Sequence, residues 1–312
     1  MNEIITSIFS LNTTAAAIRM TTPLALAAMG GTFSERSGIV NIGLEGMILS
    51  GAFAGVLGSF YTGNPWIGVL LAAVAGGLMA ALFAIFTIKY KANHVVTGVG
   101  LNILALGATT WLMQVLWGSR GSSPTVKGLG EISLPLLKDI PVIDRLLGSQ
   151  SPLVYLMFIL VVAGWILLFK TPLGLRIRMT GEHPEAADTL GIDTKKIQYF
   201  SVILSGALSG LGGAYLSLGQ LNWFSMNMSA GRGYMALAAN TFGQWNPLGG
   251  LGASFLFSFT DAVQMRLQGL NLGIANEIIQ MLPYLLTVIV LAGAVVRSRP
   301  PQALGEHYES GK

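Results

Sequence analysis

The stretch Trp66-Ile-Gly-Val-Leu-Leu-Ala-Ala-Val-Ala-Gly-Gly-Leu-Met-Ala-Ala-Leu-Phe-Ala-Ile-Phe-Thr-Ile88 decides the fold: not one Asp, Glu, Lys or Arg interrupts it. At 1.5 Å per residue a helix of this length runs about 35 Å, enough to cross the ~30 Å hydrocarbon core of a bilayer. The uncharged run reaches back to Gly46, broken by Gly63-Asn64-Pro65, whose turn chemistry separates two helices. The pattern recurs outward in both directions. Runs without those four residues fill 92–119, 146–169, 197–231, 233–260 and 278–296, and 4–34 is interrupted only by Arg19. They predict spans at about 13–31, 40–60, 66–88, 95–117, 153–169, 198–221, 234–245, 248–266 and 277–296. The expectation is an all-α, polytopic transmembrane bundle of about nine spans, with eight to ten as the range. The first span carries Arg19 and Pro23, and 234–245 is short enough to be re-entrant.

Composition agrees with the runs. Charged residues make up 10% of the chain and hydrophobic ones 52%, against about 25% charged in an ordinary soluble domain. Glycine, at 40 residues, suits membrane helices because small side chains let backbones approach. A net charge of +4 is no nucleic-acid footprint; Lys and Arg here mark orientation instead. With nine spans and the C-terminus inside, eleven of them fall on the cytoplasmic side and six outside, among the latter Arg232 and Arg266. The chain reads as one transmembrane domain over 1–312, with spans over roughly 13–296. An external loop occupies 118–152, a cytoplasmic loop 170–196 and a cytoplasmic tail 297–312. There is no cysteine, so disulfide and thiol chemistry are excluded. Glu3 sits where a signal peptide would be basic, and the first span is expected to direct insertion.

The cytoplasmic loop has a short element of its own, Gly181-Glu-His-Pro-Glu-Ala-Ala-Asp-Thr-Leu-Gly191. Pro184 suits the first helical position, Glu185 and Asp188 favour the early turns electrostatically, and Gly191 can end the helix left-handed. The result is a helix of about two turns, on the order of 10 Å and marginal in isolation. It reads either as a simple connector or as an element that docks on a partner, with Ala186-Ala187 permitting close approach.

Glu185-Ala186-Ala187, followed three residues later by Gly191, resembles the coupling-helix signature of ABC importer permeases. Phe200-Ser-Val-Ile-Leu-Ser stands where the maltose-type permeases continue differently, which resembles the branched-chain amino acid, ribose and nucleoside group instead. Glu35-Arg-Ser-Gly-Ile-Val-Asn-Ile-Gly-Leu-Glu-Gly-Met47 and His94-Val-Val-Thr-Gly-Val-Gly-Leu-Asn102 are similar to segments of nucleoside and simple-sugar permeases. So are Arg232-Gly-Tyr-Met-Ala-Leu-Ala-Ala-Asn240 and Asn246-Pro-Leu-Gly-Gly250. The resemblance implies a bacterial-type cytoplasmic-membrane permease, with Glu185, Ala186, Ala187, Leu190 and Gly191 coupling it to an ATPase. It also implies a second permease chain, identical or related, and an external substrate-binding protein that delivers a small molecule. No G-x-x-x-x-G-K-[ST] occurs in the chain, so ATP and Mg are expected on the partner ATPase, with no cofactor and no enzymatic site here.

Ionisable groups inside a membrane are costly and usually face the bundle interior. Glu45, Asp261, Arg266 and Glu277 fit that description. Asp261 and Gln264 share a helical face, and with Asn240 they suggest a polar cavity near the external half. Asn41, Asn102 and Gln280 offer both donors and acceptors suited to ribose or a base edge. Glu45, Asn41, Asn102, Asn240, Asp261 and Gln264 are thus candidates for the substrate path, against an equal reading as structural ion pairs and interhelical glue. Trp111, Trp117 and Trp223 can stack on a ring or form an interfacial belt. His94, His183 and His307 lack metal-site spacing. Two rivals remain: an ion-coupled secondary transporter using Glu45 or Asp261, and a non-transporting scaffold. A branched-chain amino acid remains an alternative substrate.

Overall fold

The computed structural model describes residues 10–133, 144, 146–269, 276–281, 285, 288 and 299–308. Its helices are α1 (Leu11–Arg36), α2 (Leu44–Thr62), α3 (Pro65–Ala84), α4 (His94–Trp117), α5 (Pro152–Lys170) and α6 (Pro172–Glu182). They continue with α7 (Pro184–Thr189), α8 (Thr194–Ala214), α9 (Arg232–Phe242), α10 (Pro247–Gly269) and α11 (Asn276–Gln280). Helices α3 and α8 run on as π turns, Ile85–Lys89 and Tyr215–Leu221. The starts are chemically marked. Pro65, Pro152, Pro172, Pro184 and Pro247 open five helices, where a missing N–H is harmless. Ser10, Asn64, Asn93, Thr171 and Asp193 cap α1, α3, α4, α6 and α8 through their side chains.

Helix α8 is the hub, packed against α1, α2 and α3. It gets that close because glycine meets glycine. A Cβ on Gly51 of α2 would lie 2.5 Å from Cα of Gly210, and one on Gly76 of α3 would collide with the Gly206 carbonyl. Around this contact sit Leu24, Met47, Ile48, Phe83, Val202 and Phe257, all buried. The outside is apolar as well: Leu70, Leu78 and Ile159 are more than 60% exposed. Water would not tolerate such a girdle; lipid does.

Among the described residues, five helices are both long and apolar enough to cross a membrane: α2, α3 and α8 with their π turns, α4 and α5. Helices α1 (26 residues) and α10 (23 residues) have the length but more polar content. The expected span 234–245 is α9, whose 11 residues measure about 16 Å, half a bilayer. The expected span 277–296 lies almost wholly outside the described residues. Two features were not anticipated. The segment expected as a lone short helix has α6 immediately before it, and the external loop carries a two-residue antiparallel ribbon, Ile132–Ser133 against Ser149–Gln150. The first part of that loop is also no free solvated coil. Ser123 and Val126 donate backbone bonds to Phe224 and Asn222, and Met226 donates to Gly121, lashing it to the segment after α8.

Candidate functional site

Two constructions dominate the bundle. The first is at the end where α6 and α7 lie. Helix α7 starts at Pro184 and stops where Gly191, at φ +76°, turns left-handed. There Gly191 donates to Asp188 O and Ile192 to Ala187 O, satisfying carbonyls the helix leaves open. Of the alanine pair, Ala187 is fully buried while Ala186 is exposed. Only Ala186 of the two therefore presents itself at the surface, a correction to the expectation that both small residues do. Glu185, Ala186, Thr189, Leu190 and Gly191 form the outward face, and Leu190 is 69% exposed.

The tail residues 300–308 lie against this same end. Ala303 donates to Gly181 O and Gly305 to Gly38 O, each at 2.9 Å. The Tyr308 hydroxyl reaches Asp188 Oδ2 at 3.1 Å, and His307 stacks edge-on over His94, centroids 5.0 Å apart. A cavity of about 450 Å³ opens between tail and α7, lined among others by Glu182, Glu185, Gln198 and Glu306. Arg36, at the end of α1, lies 3.7 Å from Glu182.

The second construction is a frame of buried polar groups that joins α1, α2, α4, α8 and α9. The Glu45 carboxyl accepts from Gly231 N at 2.8 Å and Gly233 N at 2.7 Å. It thus supplies the cap that Gly231, with no side chain, cannot give to α9. Asn102 on α4 accepts from Gly46 N at 2.8 Å and donates to Ile42 O and the Tyr234 hydroxyl, each at 3.0 Å. Asn41 donates to Ser205 Oγ at 3.1 Å and accepts from Gly43 N. At the other end of α9, Asn240 accepts from Thr32 at 2.7 Å and donates to Glu35 at 2.9 Å. Glu35 also accepts from the Trp245 indole N–H. Arg36 donates to the carbonyls of Gln244 and Trp245, two non-glycine residues held at φ +55° and +52°.

The candidates thus separate. Asn41, Glu45, Asn102 and Asn240 are all at most 9% exposed and spend their polar atoms on the protein itself. Asn240 bonds at the α7 end, so it does not join Asp261 and Gln264 in one outer cavity as expected. Asp261 and Gln264 are half-buried on α10, with Asp261 in electrostatic reach of Arg232. Arg232 itself donates to the carbonyls of Met228 and Ser229 and is no free marker of an outer loop. Gln280 is exposed, Glu277's side chain lies outside the described residues, and Arg266 is exposed. Trp117 packs on Phe53 and Phe60, centroids 5.7 Å away in each case, while Trp111 and Trp223 are exposed. The residue missed was Glu35; Asn240 and Trp245, spaced for one helical face and the turn beyond, were its only sequence signal. Among the described residues no three His, Cys, Asp or Glu converge as a metal site would need.

Residues 13–291 match the family described as "Branched-chain amino acid transport system / permease component". The chain is 42% identical to the guanosine ABC transporter permease protein NupQ of Bacillus subtilis, over 93% of this chain and 94% of that one. It is 38% identical to the nucleoside ABC transporter permease protein NupC of Lactococcus lactis, with the same coverage of 93% and 94%. A protein of Haloferax volcanii, provisionally named a glucose ABC transporter permease protein, is 34% identical over 94% and 96%. The chain belongs to this permease family: it is the multi-pass, membrane-spanning permease subunit of an ATP-binding-cassette importer.

Proposed function

We propose that this subunit forms the path for a nucleoside, that it works with a second permease chain, and that α7 docks on an ATPase which burns ATP with Mg. An external binding protein delivers the substrate. The single observation carrying the docking role is the outward face of α7. It is held in place by a buried Ala187 and a left-handed Gly191, and it offers Glu185, Ala186 and a 69%-exposed Leu190 to a partner. The names of the similar Bacillus and Lactococcus proteins support the nucleoside.

In this reading the whole chain is one permease domain with nine crossings. These are α1, α2, α3, α4, α5 and α8, a broken crossing made by 222–242, then α10 and the segment 277–296. The end with α7 and the tail is cytoplasmic, so the C-terminus is too. Nucleotide-driven closure of the ATPases moves the α7 helices and tips the bundle between outward- and inward-facing states. The test is ATP-dependent guanosine uptake by the full importer in proteoliposomes. Glu185→Arg and Gly191→Trp are expected to abolish uptake while insertion and assembly of the chain stay normal. Full uptake in both would refute the docking role, and uptake of glucose but not guanosine would move the substrate to the sugars.

A further inference from the structure

The broken crossing points to where substrate touches the chain. Met226 N donates to Gly121 O at 2.9 Å, just beyond the end of α4. Tyr234, in the first turn of α9, meets Asn102, twelve residues before Gln114 on α4 and hence about 18 Å deeper along the helix. Between these ties the backbone is not helical. Three non-glycine residues in the segment take left-handed conformations: Asn222 at φ +62°, Asn227 at +55° and Ala230 at +46°. Irregular backbone at membrane depth persists only where protein buries it or where it lines a watery cavity. Protein buries it only in part: Phe224 and Ser229 are buried, whereas Met226, Asn227 and Ala230 are exposed. With lipid excluded for that exposed part, a watery path is the neighbour that suits it.

Along that path runs a groove of about 600 Å³ between this segment and α4, lined by Thr110, Trp111, Gln114 and Asn227 and, on its apolar side, by Ile103 and Leu106, among others. The size is that of small-molecule sites. Its chemistry is mixed in the way such sites need. Trp111 is 65% exposed and presents a flat face. Gln114, Arg120 and Asn227 make no side-chain hydrogen bond among the described residues, and Thr110, bonded only to Leu106 O at 2.7 Å, keeps its lone pairs free. The opposite holds for the buried asparagines and Glu45, whose polar atoms are already spent.

Resting on the nucleoside-permease reading, we infer that the α4 face carrying Thr110, Trp111 and Gln114, with Asn227 opposite, is the substrate-contacting wall in the outer half of the path. It takes a nucleoside by stacking the base on Trp111 and by hydrogen-bonding ribose hydroxyls and base edge through Gln114, Thr110 and Asn227.

This chain has no cysteine, so each introduced thiol is the single one in the subunit. Thr110→Cys, Gln114→Cys and Asn227→Cys are made singly in the full importer, with Leu78→Cys on the apolar face of α3 for comparison. Each is exposed to a charged, membrane-impermeant thiol reagent, and guanosine uptake is measured in the same vesicles. The three groove positions are expected to react at least about tenfold faster than Leu78→Cys, as a watery rather than lipid environment dictates. Saturating guanosine should slow them severalfold and ribose should not. Reaction as slow as at Leu78→Cys, while guanosine uptake is intact, overturns the groove and leaves the permease reading standing. Fast reaction protected by ribose alone overturns the nucleoside ligand. Loss of guanosine uptake by the unmodified importer falls on the proposed substrate itself.

Discussion

Replacing Glu45 probes the frame most directly. Its two carboxyl oxygens take the N–H groups of Gly231 and Gly233 at 2.8 and 2.7 Å, in a site where the side chain is 8% exposed. The glutamate and its partners are some 186 residues apart in sequence, so the pair ties the start of α2 to the start of α9. Glu45→Ala leaves two donors without acceptors, Gly233 N buried and Gly231 N half-buried. Each orphan costs about 1–3 kcal/mol, so the loss is about 2–6 kcal/mol. Glu45→Gln keeps one acceptor oxygen and turns an amide NH₂ toward the other donor, which halves the loss to about 1–3 kcal/mol. The assay is thermal unfolding of the purified protein in detergent, with guanosine uptake per folded molecule measured beside it. The expected order is wild type, then Gln, then Ala, with uptake per folded molecule of the Gln variant close to wild type. An alanine variant within about 0.5 kcal/mol of wild type, the scatter of an ordinary surface change, would refute the cap.

Gly51→Val drives a side chain into Gly210, and overpacking of this kind costs about 1–3 kcal/mol or more; the yield of folded protein by size-exclusion chromatography should fall sharply, whereas Gly100→Val, with open space around it, should be near neutral. Tyr308→Phe removes the hydrogen bond to Asp188, worth about 0.5–1.5 kcal/mol net, and should speed amide exchange in α7 by up to about tenfold without affecting α5. Asp193 caps α8 by accepting from Lys196 N at 3.0 Å, and its carboxyl also pairs with the Lys196 ammonium at 3.0 Å. The backbone bond first, then the side-chain one, holds this carboxyl below the usual carboxylate range. A depressed folded-state value means that the contribution is present above the ordinary range and is lost as pH falls through the lower, folded one. Asp193→Asn should therefore keep the cap yet flatten the acid limb of exchange in the first turn of α8, while Asp193→Ala should cost about 1 kcal/mol above the ordinary carboxylate range and progressively less as pH falls.

The parts of this molecule legible in the sequence are those encoded over short distances. The span ends follow from runs such as 66–88, because hydrophobic length is a local quantity. The end of α7 follows from Pro184 and Gly191, because each fixes its own backbone. What stayed hidden depends on residues far apart or on which side of a helix faces inward. The run 197–231 stays free of Asp, Glu, Lys and Arg while the chain leaves the helix at Asn222, so composition gives no warning of the break; Gly219, Asn222 and Asn227 were the available signals. Glu45 was visible as a costly group, but its partners are backbone amides, and backbone amides leave no mark in a sequence. A buried polar residue in a membrane protein therefore supports two opposite inferences. Where its donors and acceptors are all answered by the chain, as with Asn41, Glu45, Asn102 and Asn240, it is holding helices in place. A polar group in a groove of the bundle that is exposed and unanswered, as Gln114 and Asn227 are, has been left for something that arrives from outside, and it is there that a substrate should be sought.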